Sequence, residues 1–211
     1  MFTKDTTVSS TEKYAEEYYV TNTDIEDSSV LLLIREHPNV KAIQRYETFI
    51  YGNIIDIGSG HSATTLIAAE NPKVIKAVGV NLNQAAIDRF NKIKEHATKE
   101  AKEKTSMVCS NVLELNKHFD EESFDTVMSF HMLEHLFKED IDLAMEQMSR
   151  ILKPGGMFII SIPWERQLGS PNHKTYWNDK TLSALFLKHA YTVHECYKVD
   201  DKHLTGAFIK C

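Results

Sequence analysis

The segment N-I-I-D-I-G-S-G-H-S-A, residues 53–63, runs from a short apolar stretch into a glycine turn. The stretch stops at Gly58-Ser59-Gly60, and a helical pattern follows from about Ser62 to Glu70. A short apolar strand that ends on glycines and passes into a helix is the opening half of a βαβ unit. Glycines let the backbone turn tightly and approach a ligand, and the helix that follows offers free N–H groups to an anion. Gly58 to Ala63 also meets the loose dinucleotide pattern G-x-G-x-x-G/A. Two residues point away from NAD. Asp56 lies inside the strand end, where an acid faces a cation rather than a pyrophosphate. The second strand closes on Asn81, where an NAD enzyme presents Asp or Glu to the ribose. An ammonium-bearing cofactor suits Asp56 better.

Working outward, V-I-K-A-V-G-V (74–80) reads as a second strand. Residues 83–104 read as one amphipathic helix carrying Ile87, Phe90, Ile93 and Ala97 on one face. S-M-V-C-S (106–110) is a third strand and F-D-T-V-M-S-F (124–130) a fourth. A helix is predicted over 132–152, with Leu133, Leu136, Leu143 and Met148 among its apolar positions, ended by L-K-P-G-G (152–156). M-F-I-I-S-I-P (157–163) is a fifth strand, and another helix fits 178–190. Two apolar stretches, 191–199 and 205–211, close the chain without a helix between them and should pair antiparallel. The alternation predicts an α/β fold: a Rossmann-like three-layer sandwich whose mostly parallel seven-stranded sheet ends in an antiparallel hairpin. Ligands in such sheets sit beyond the carboxyl ends of the strands.

Before the first strand, residues 28–49 read as one or two helices broken near His37-Pro38, because the residue before proline avoids the α region. Tyr14, Tyr18 and Tyr19 could share a helical stripe, as surface packing or as a lid over a site. The expected division is a helical cap over residues 1–50 and a cofactor-binding domain over 51–211.

The net charge of −6 argues against nucleic acid and anionic membrane as partners, since both need a basic field. No apolar run is long enough to cross a bilayer, and the first twenty residues lack the apolar core of a secretory signal. Three cysteines, Cys109, Cys196 and Cys211, with no C-x-x-C pair, suit a reducing cytoplasm.

The motifs at the strand ends together resemble class I S-adenosylmethionine-dependent methyltransferases. They are I-I-D-I-G-S-G after strand one, a polar residue closing strand two, a polar pair after strand three, F-D-T-V-M-S with L-E-H on strand four, and L-K-P-G-G before strand five. The segment H-K-T-Y-W-N-D-K-T-L-S-A-L-F (173–186) is similar to one in the small-substrate, type 11/23-like branch. The resemblance implies that Asp56, Gly58, Ser59 and Gly60 hold the methionine half of S-adenosylmethionine. It gives Asn81, with Leu82, the ribose, Asn111 and the Val112 backbone the adenine, and Phe130 the methyl-donor pocket. The family usually has an acid where Asn81 stands, and often where Asn111 stands; an amide forgoes the charge-assisted bond. Ser62 replaces a common third glycine.

Strand four runs into F-H-M-L-E-H-L (130–136), with His131, Glu134 and His135 at i, i+3 and i+4. Alone, H-x-x-E-H is the inverted zinc-peptidase signature, which the βαβ order contradicts. Two readings remain: a helix start whose carboxylate suits the positive dipole end, or a divalent-metal site of His131, Glu134, His135 and His173. The second resembles the E-x-x-E-H plus distant histidine of small-RNA 2′-O-methyltransferases and, in part, ubiquinone-pathway O-methyltransferases. His131 in place of the first acid would shift the site from Mg²⁺ toward Mn²⁺ or Zn²⁺. His131, His135 and His173 are equally candidates for a metal-free base.

The expected reaction is methyl transfer from S-adenosylmethionine to an O or N of a small or medium-sized acceptor, with Trp164 and Trp177 near it. The rivals are an NAD oxidoreductase, a methyltransferase-like scaffold without turnover, and a metal-dependent RNA 2′-O-methyltransferase-like enzyme.

Overall fold

A sheet covered on both faces needs apolar side chains on both sides of its strands, and β1 (Gly52–Ile57) meets this condition. Ile55 and Ile57 enter one core and Ile54 the other. The computed structural model describes residues 29–31, 34–164 and 172–211. Six further strands complete the sheet: β2 (Val74–Asn81), β3 (Thr105–Cys109), β4 (Phe124–Phe130), β5 (Leu152–Pro163), β6 (Tyr191–Lys198) and β7 (His203–Lys210). Their order is β3-β2-β1-β4-β5-β7-β6, with β7 antiparallel to both its neighbours. Strand order reverses between β1 and β4, so the ligand side of such a sheet lies at their carboxyl ends.

Helices α1 (Pro38–Arg45), α2 (Ala63–Ala69), α3 (Gln84–Lys94) and α4 (Lys99–Lys104) cover one face, sharing a core with Ile54, Met128 and Ile159. Helices α5 (Ile141–Ile151) and α6 (Asp179–Lys188) cover the other, over Ile55, Val127 and Phe158. Phe186 of α6 stacks on Phe208 at 3.7 Å and meets Phe158 and Tyr191 edge-on at 4.9 and 5.2 Å. Such pairs add about 0.5–1.5 kcal/mol each beyond the area they bury, and they fix α6 over the antiparallel end of the sheet.

His37 ends an extended turn (φ −68°, ψ 142°), as its position before proline requires. Its Nδ1 accepts from the Asn39 N–H at 3.3 Å and so caps α1, with Pro38 in the first helical position. Val40 and Ile43 of α1, with Tyr46 just after it, enter the core that Ile54 of β1 shares. The tyrosines at 14, 18 and 19 lie outside the described residues.

Three expectations need correction. The segment 83–104 is two helices, because Thr98 caps α4 by accepting from the Ala101 N–H at 3.3 Å. The helix expected over 132–152 begins at Ile141. His131 turns left-handed (φ +55°), Leu133–His135 and Lys138–Asp140 form short 3₁₀ turns, and Leu136 and Phe137 are extended. The helix is thereby re-phased: Ile141, Ala144, Met145, Met148 and Ile151 face the core and Leu143 is exposed. L-K-P-G-G belongs to β5, where an irregularity between Phe124 and Thr126 of β4 absorbs the extra residues.

Candidate functional site

The residues expected to hold the cofactor lie on four neighbouring strands, so they form one continuous arc along the carboxyl edge. Gly58, Ser59 and Gly60 are half-buried at the end of β1, with the Gly58 and Ser59 N–H groups both donating to Val80 O. Gly58 has φ +72°, and a Cβ there would collide with the Met132 side chain after β4. Only glycine lets these two loops close on each other. Asp56 is fully buried and accepts from the Thr64 and Thr65 hydroxyls at 2.7 and 2.8 Å, while its Oδ1 has no hydrogen-bond partner among the described residues. Burial pushes its carboxyl up to about 6, against the pull of the two threonines.

Asn81 and Asn111 each use the side-chain oxygen locally, accepting from Asn83 N–H (2.9 Å) and Leu113 N–H (3.0 Å). Leu82 is half-buried between them and Val112 is 8% exposed, so the backbone is what Val112 can offer. Phe130 is packed in the core at 6% exposure; the side chain presented at the end of β4 is that of His131. A loop of minimal side chains flanked by two amides fits an elongated ligand laid across the strand ends.

The other half of the arc collects imidazoles. His131 keeps its N–H on Ser161 O at 2.8 Å while its left-handed backbone turns the chain into Leu133–His135. A non-glycine residue in this conformation stores roughly 1–2 kcal/mol. Glu134 is 2% exposed, and neither carboxylate oxygen has a hydrogen-bond partner among the described residues. Its Oε1 lies 3.2 Å from His131 Nδ1, out of hydrogen-bond alignment, and 4.0 Å from His135 Nε2. One ligand atom each from Glu134, His135 and His173 falls within 4.8 Å of the others. His173 Nδ1 and His131 Nε2 are likewise buried without a hydrogen-bond partner among the described residues. Burial lowers both His135 and His173, with Glu134 opposing, and so favours the neutral, lone-pair-bearing imidazole. A buried carboxylate without hydrogen bonds beside two neutral imidazoles fits a borderline divalent cation. His131 stands outside that set of three.

His135 and His173 meet edge to face at 5.1 Å. His131 meets two histidines that the sequence did not single out: His37 at 6.1 Å and His203 at 5.6 Å between ring centroids. His203 pairs with Pro163 in register, which puts the start of β7 at the carboxyl edge of β5, and its Nδ1 lies 2.9 Å from Asp200. Burial, then the nearby His131 and His203, lower His37. Trp164 and Trp177 are joined by a parallel bridge beside this half.

A methyltransferase-domain family model matches residues 55–160. A comparison with curated protein sequences gives no match. Among solved structures, the chain is similar to the YcgJ protein of Bacillus subtilis (16% identity, TM-score 0.66, covering 82% of this chain and 98% of that one). A SAM-dependent methyltransferase of Aquifex aeolicus aligns at 12% identity and TM-score 0.68, covering 89% and 100%. The methyltransferase domain of a bacterial CtHen1 aligns at 16% and 0.66, covering 83% and 99%. At these identities the structures attest the fold, while the family model spans half of the sequence, from within β1 to within β5. The chain belongs to the class I, type 11 S-adenosylmethionine-dependent methyltransferases.

Proposed function

We propose that the protein methylates a small or medium-sized acceptor, at a hydroxyl oxygen in preference to a nitrogen, and that this chemistry sits where the glycine loop meets the histidines. The observation that carries the reading is the buried His131 Nε2 at the end of β4, which has no hydrogen-bond partner among the described residues, with Glu134 behind its Nδ1. S-adenosylmethionine supplies an activated methyl group on a sulfonium, so no covalent enzyme intermediate is needed. The chain's own work is to orient the acceptor and to take its proton; orientation of this kind supplies up to ~7–11 kcal/mol in the best cases.

His131 Nε2 is the proton acceptor in this reading. A hydroxyl is protonated at neutral pH and needs such a base, whereas many amines do not. Glu134, His135 and His173 would hold a divalent cation, which lowers the pKa of a coordinated hydroxyl. Trp164 and Trp177 supply apolar walls for a sugar or ring acceptor. Asp56 would meet the cofactor's ammonium, while Asn81 and Asn111 would turn their amide groups toward ribose and adenine. The net charge of −6 speaks against an RNA acceptor. The three unpaired cysteines support a cytoplasmic setting.

Calorimetric titration with S-adenosylhomocysteine tests the cofactor half: one-to-one micromolar binding is expected, and its absence would sink the reading. His131→Ala should retain that binding and lower methyl transfer to a hydroxylated acceptor about 10²–10⁴-fold. Unchanged transfer removes His131 from the mechanism.

A further inference from the structure

The turn Leu133–His135 is zipped along a seam to the segment 172–177. The Lys174 and Thr175 N–H groups donate to Glu134 O at 2.7 and 3.1 Å. The Thr175 hydroxyl donates to Leu133 O at 3.1 Å, and His135 Nδ1 lies 3.4 Å from Asn172 O. Trp177 Nε1 in turn donates to Thr175 Oγ1 at 3.0 Å. Trp177 is bridged to Trp164, whose N–H donates to Lys202 O at 2.8 Å and whose ring lies 5.4 Å from Lys198 Nζ. An unbroken path therefore runs from Glu134 through Thr175 to both tryptophans and on to the β6–β7 turn.

The three candidate ligands fall on opposite sides of this seam. Glu134 and His135 belong to the turn, and His173 to the facing segment. With the seam closed, as it is here, their ligand atoms lie within 4.8 Å of one another. A cation that needs all three donors binds the closed form and not the open one, so its binding must favour closure.

Resting on the metal part of the reading above, we infer that a divalent cation on Glu134, His135 and His173 is the clasp of the seam, and that it sets the position of Trp177 and, through it, Trp164. The acceptor wall is complete in the loaded protein and loosened in the empty one. The cation then does two things with one set of ligands: it meets the acceptor and it builds the wall the acceptor rests on. His131, on the β4 side, is not part of the clasp.

The chain carries two tryptophans, so Trp164→Phe leaves Trp177 as the only one. The chelator-treated full chain is titrated with Zn²⁺ by calorimetry, and amide hydrogen exchange and Trp177 emission are followed in parallel. One-to-one binding is expected, with Trp177 emission changing at the same midpoint. Exchange of the Lys174 and Thr175 amides should slow up to about 100-fold at a zinc concentration 100 times Kd. His173→Ala, a half-buried position on the facing segment, should abolish all three responses, and Glu134→Gln should do the same. Zinc that binds while exchange at 174–175 and Trp177 emission stay still would overturn the clasp and leave methyl transfer untouched. Binding that survives His173→Ala places the ion elsewhere and also overturns it. Absence of zinc binding, with S-adenosylhomocysteine binding intact in the same sample, would remove the metal and the clasp but not the cofactor reading.

Discussion

The two halves of the ligand edge differ in how fully their polar groups are engaged. At the ends of β1, β2 and β3 the side chains are engaged with their own surroundings: Asp56 with Thr64 and Thr65, Asn81 with Asn83, Asn111 with Leu113. At the ends of β4 and β5, Glu134, Ser161, His131 and His173 all bury polar atoms without a hydrogen-bond partner among the described residues. Burying such atoms costs free energy, and native proteins leave few of them. The first half, the cradle around the glycine loop, is largely satisfied by its own hydrogen bonds, with Asp56 Oδ1 as an exception among the described residues. The second is a set of polar atoms that the proposed acceptor and cation would complete. In the reading proposed above, cofactor recognition would rest on backbone geometry, and acceptor chemistry on unmet electrostatics.

The strongest way to break the cradle is Gly58→Val. A side chain there combines a left-handed backbone with a collision against Met132, so S-adenosylhomocysteine affinity should fall at least 100-fold and thermal stability by several kcal/mol. Calorimetry and a thermal melt check both; a variant that still binds tightly would deny the loop its role.

Asp56 qualifies the contrast, because its Oδ1 has no hydrogen-bond partner among the described residues. Its carboxyl is raised from 3.8 to about 6, so the folded chain holds the proton more tightly than the unfolded one. Its contribution is most favourable below pH 3.8 and is lost as pH rises through about 6, by about 3 kcal/mol in all. Asp56→Asn should therefore gain up to about 3 kcal/mol relative to the parent between pH 4 and 7, read by urea unfolding, while losing S-adenosylhomocysteine affinity. A flat difference across that range would mean the buried carboxylate is already compensated.

On the proposed acceptor side, Glu134→Gln removes a buried carboxylate that has no hydrogen bond among the described residues. Without metal the variant should match or exceed the parent in stability by about 1–2 kcal/mol, and zinc should no longer raise its melting temperature. A large loss of stability in the chelated protein would show instead that His131 and His135 already satisfy the carboxylate. The smallest effect belongs to Asn81→Asp, which restores a charge-assisted bond to ribose and should tighten S-adenosylhomocysteine about three- to tenfold.

What was legible in the sequence follows the direction of the strands. In a parallel strand the residue at the ligand edge is the one after the last apolar position, and Gly58, Asn81 and His131 stand there, whereas Asn111 lies beyond it and is singled out by the family resemblance. β7 runs the other way, so its first residue, His203, reaches the edge, and no pattern of strand ends points to it. His37 was visible only as the residue before a proline, because its ring contacts depend on tertiary placement. The helix expected over 132–140 failed for a related reason. Leu133 and Leu136 have helical spacing and are buried, yet they are carried by a 3₁₀ turn and an extended residue after a left-handed histidine. Periodicity records which residues face the core, not the backbone that brings them there.

The reversal of β7 also gives the molecule two chemical addresses. Starting beside Pro163 and pairing down to Met157, β7 delivers Cys211 to the edge opposite the ligand, roughly 26 Å from His203 at about 3.3 Å per residue. Cys109, at the close of β3, lies on the ligand edge with its Sγ 3.5 Å from Leu82 O. Both thiols are exposed. A probe or surface tether on Cys211 would leave the proposed site open, while the same reagent on Cys109 would stand at the entrance proposed for the cofactor.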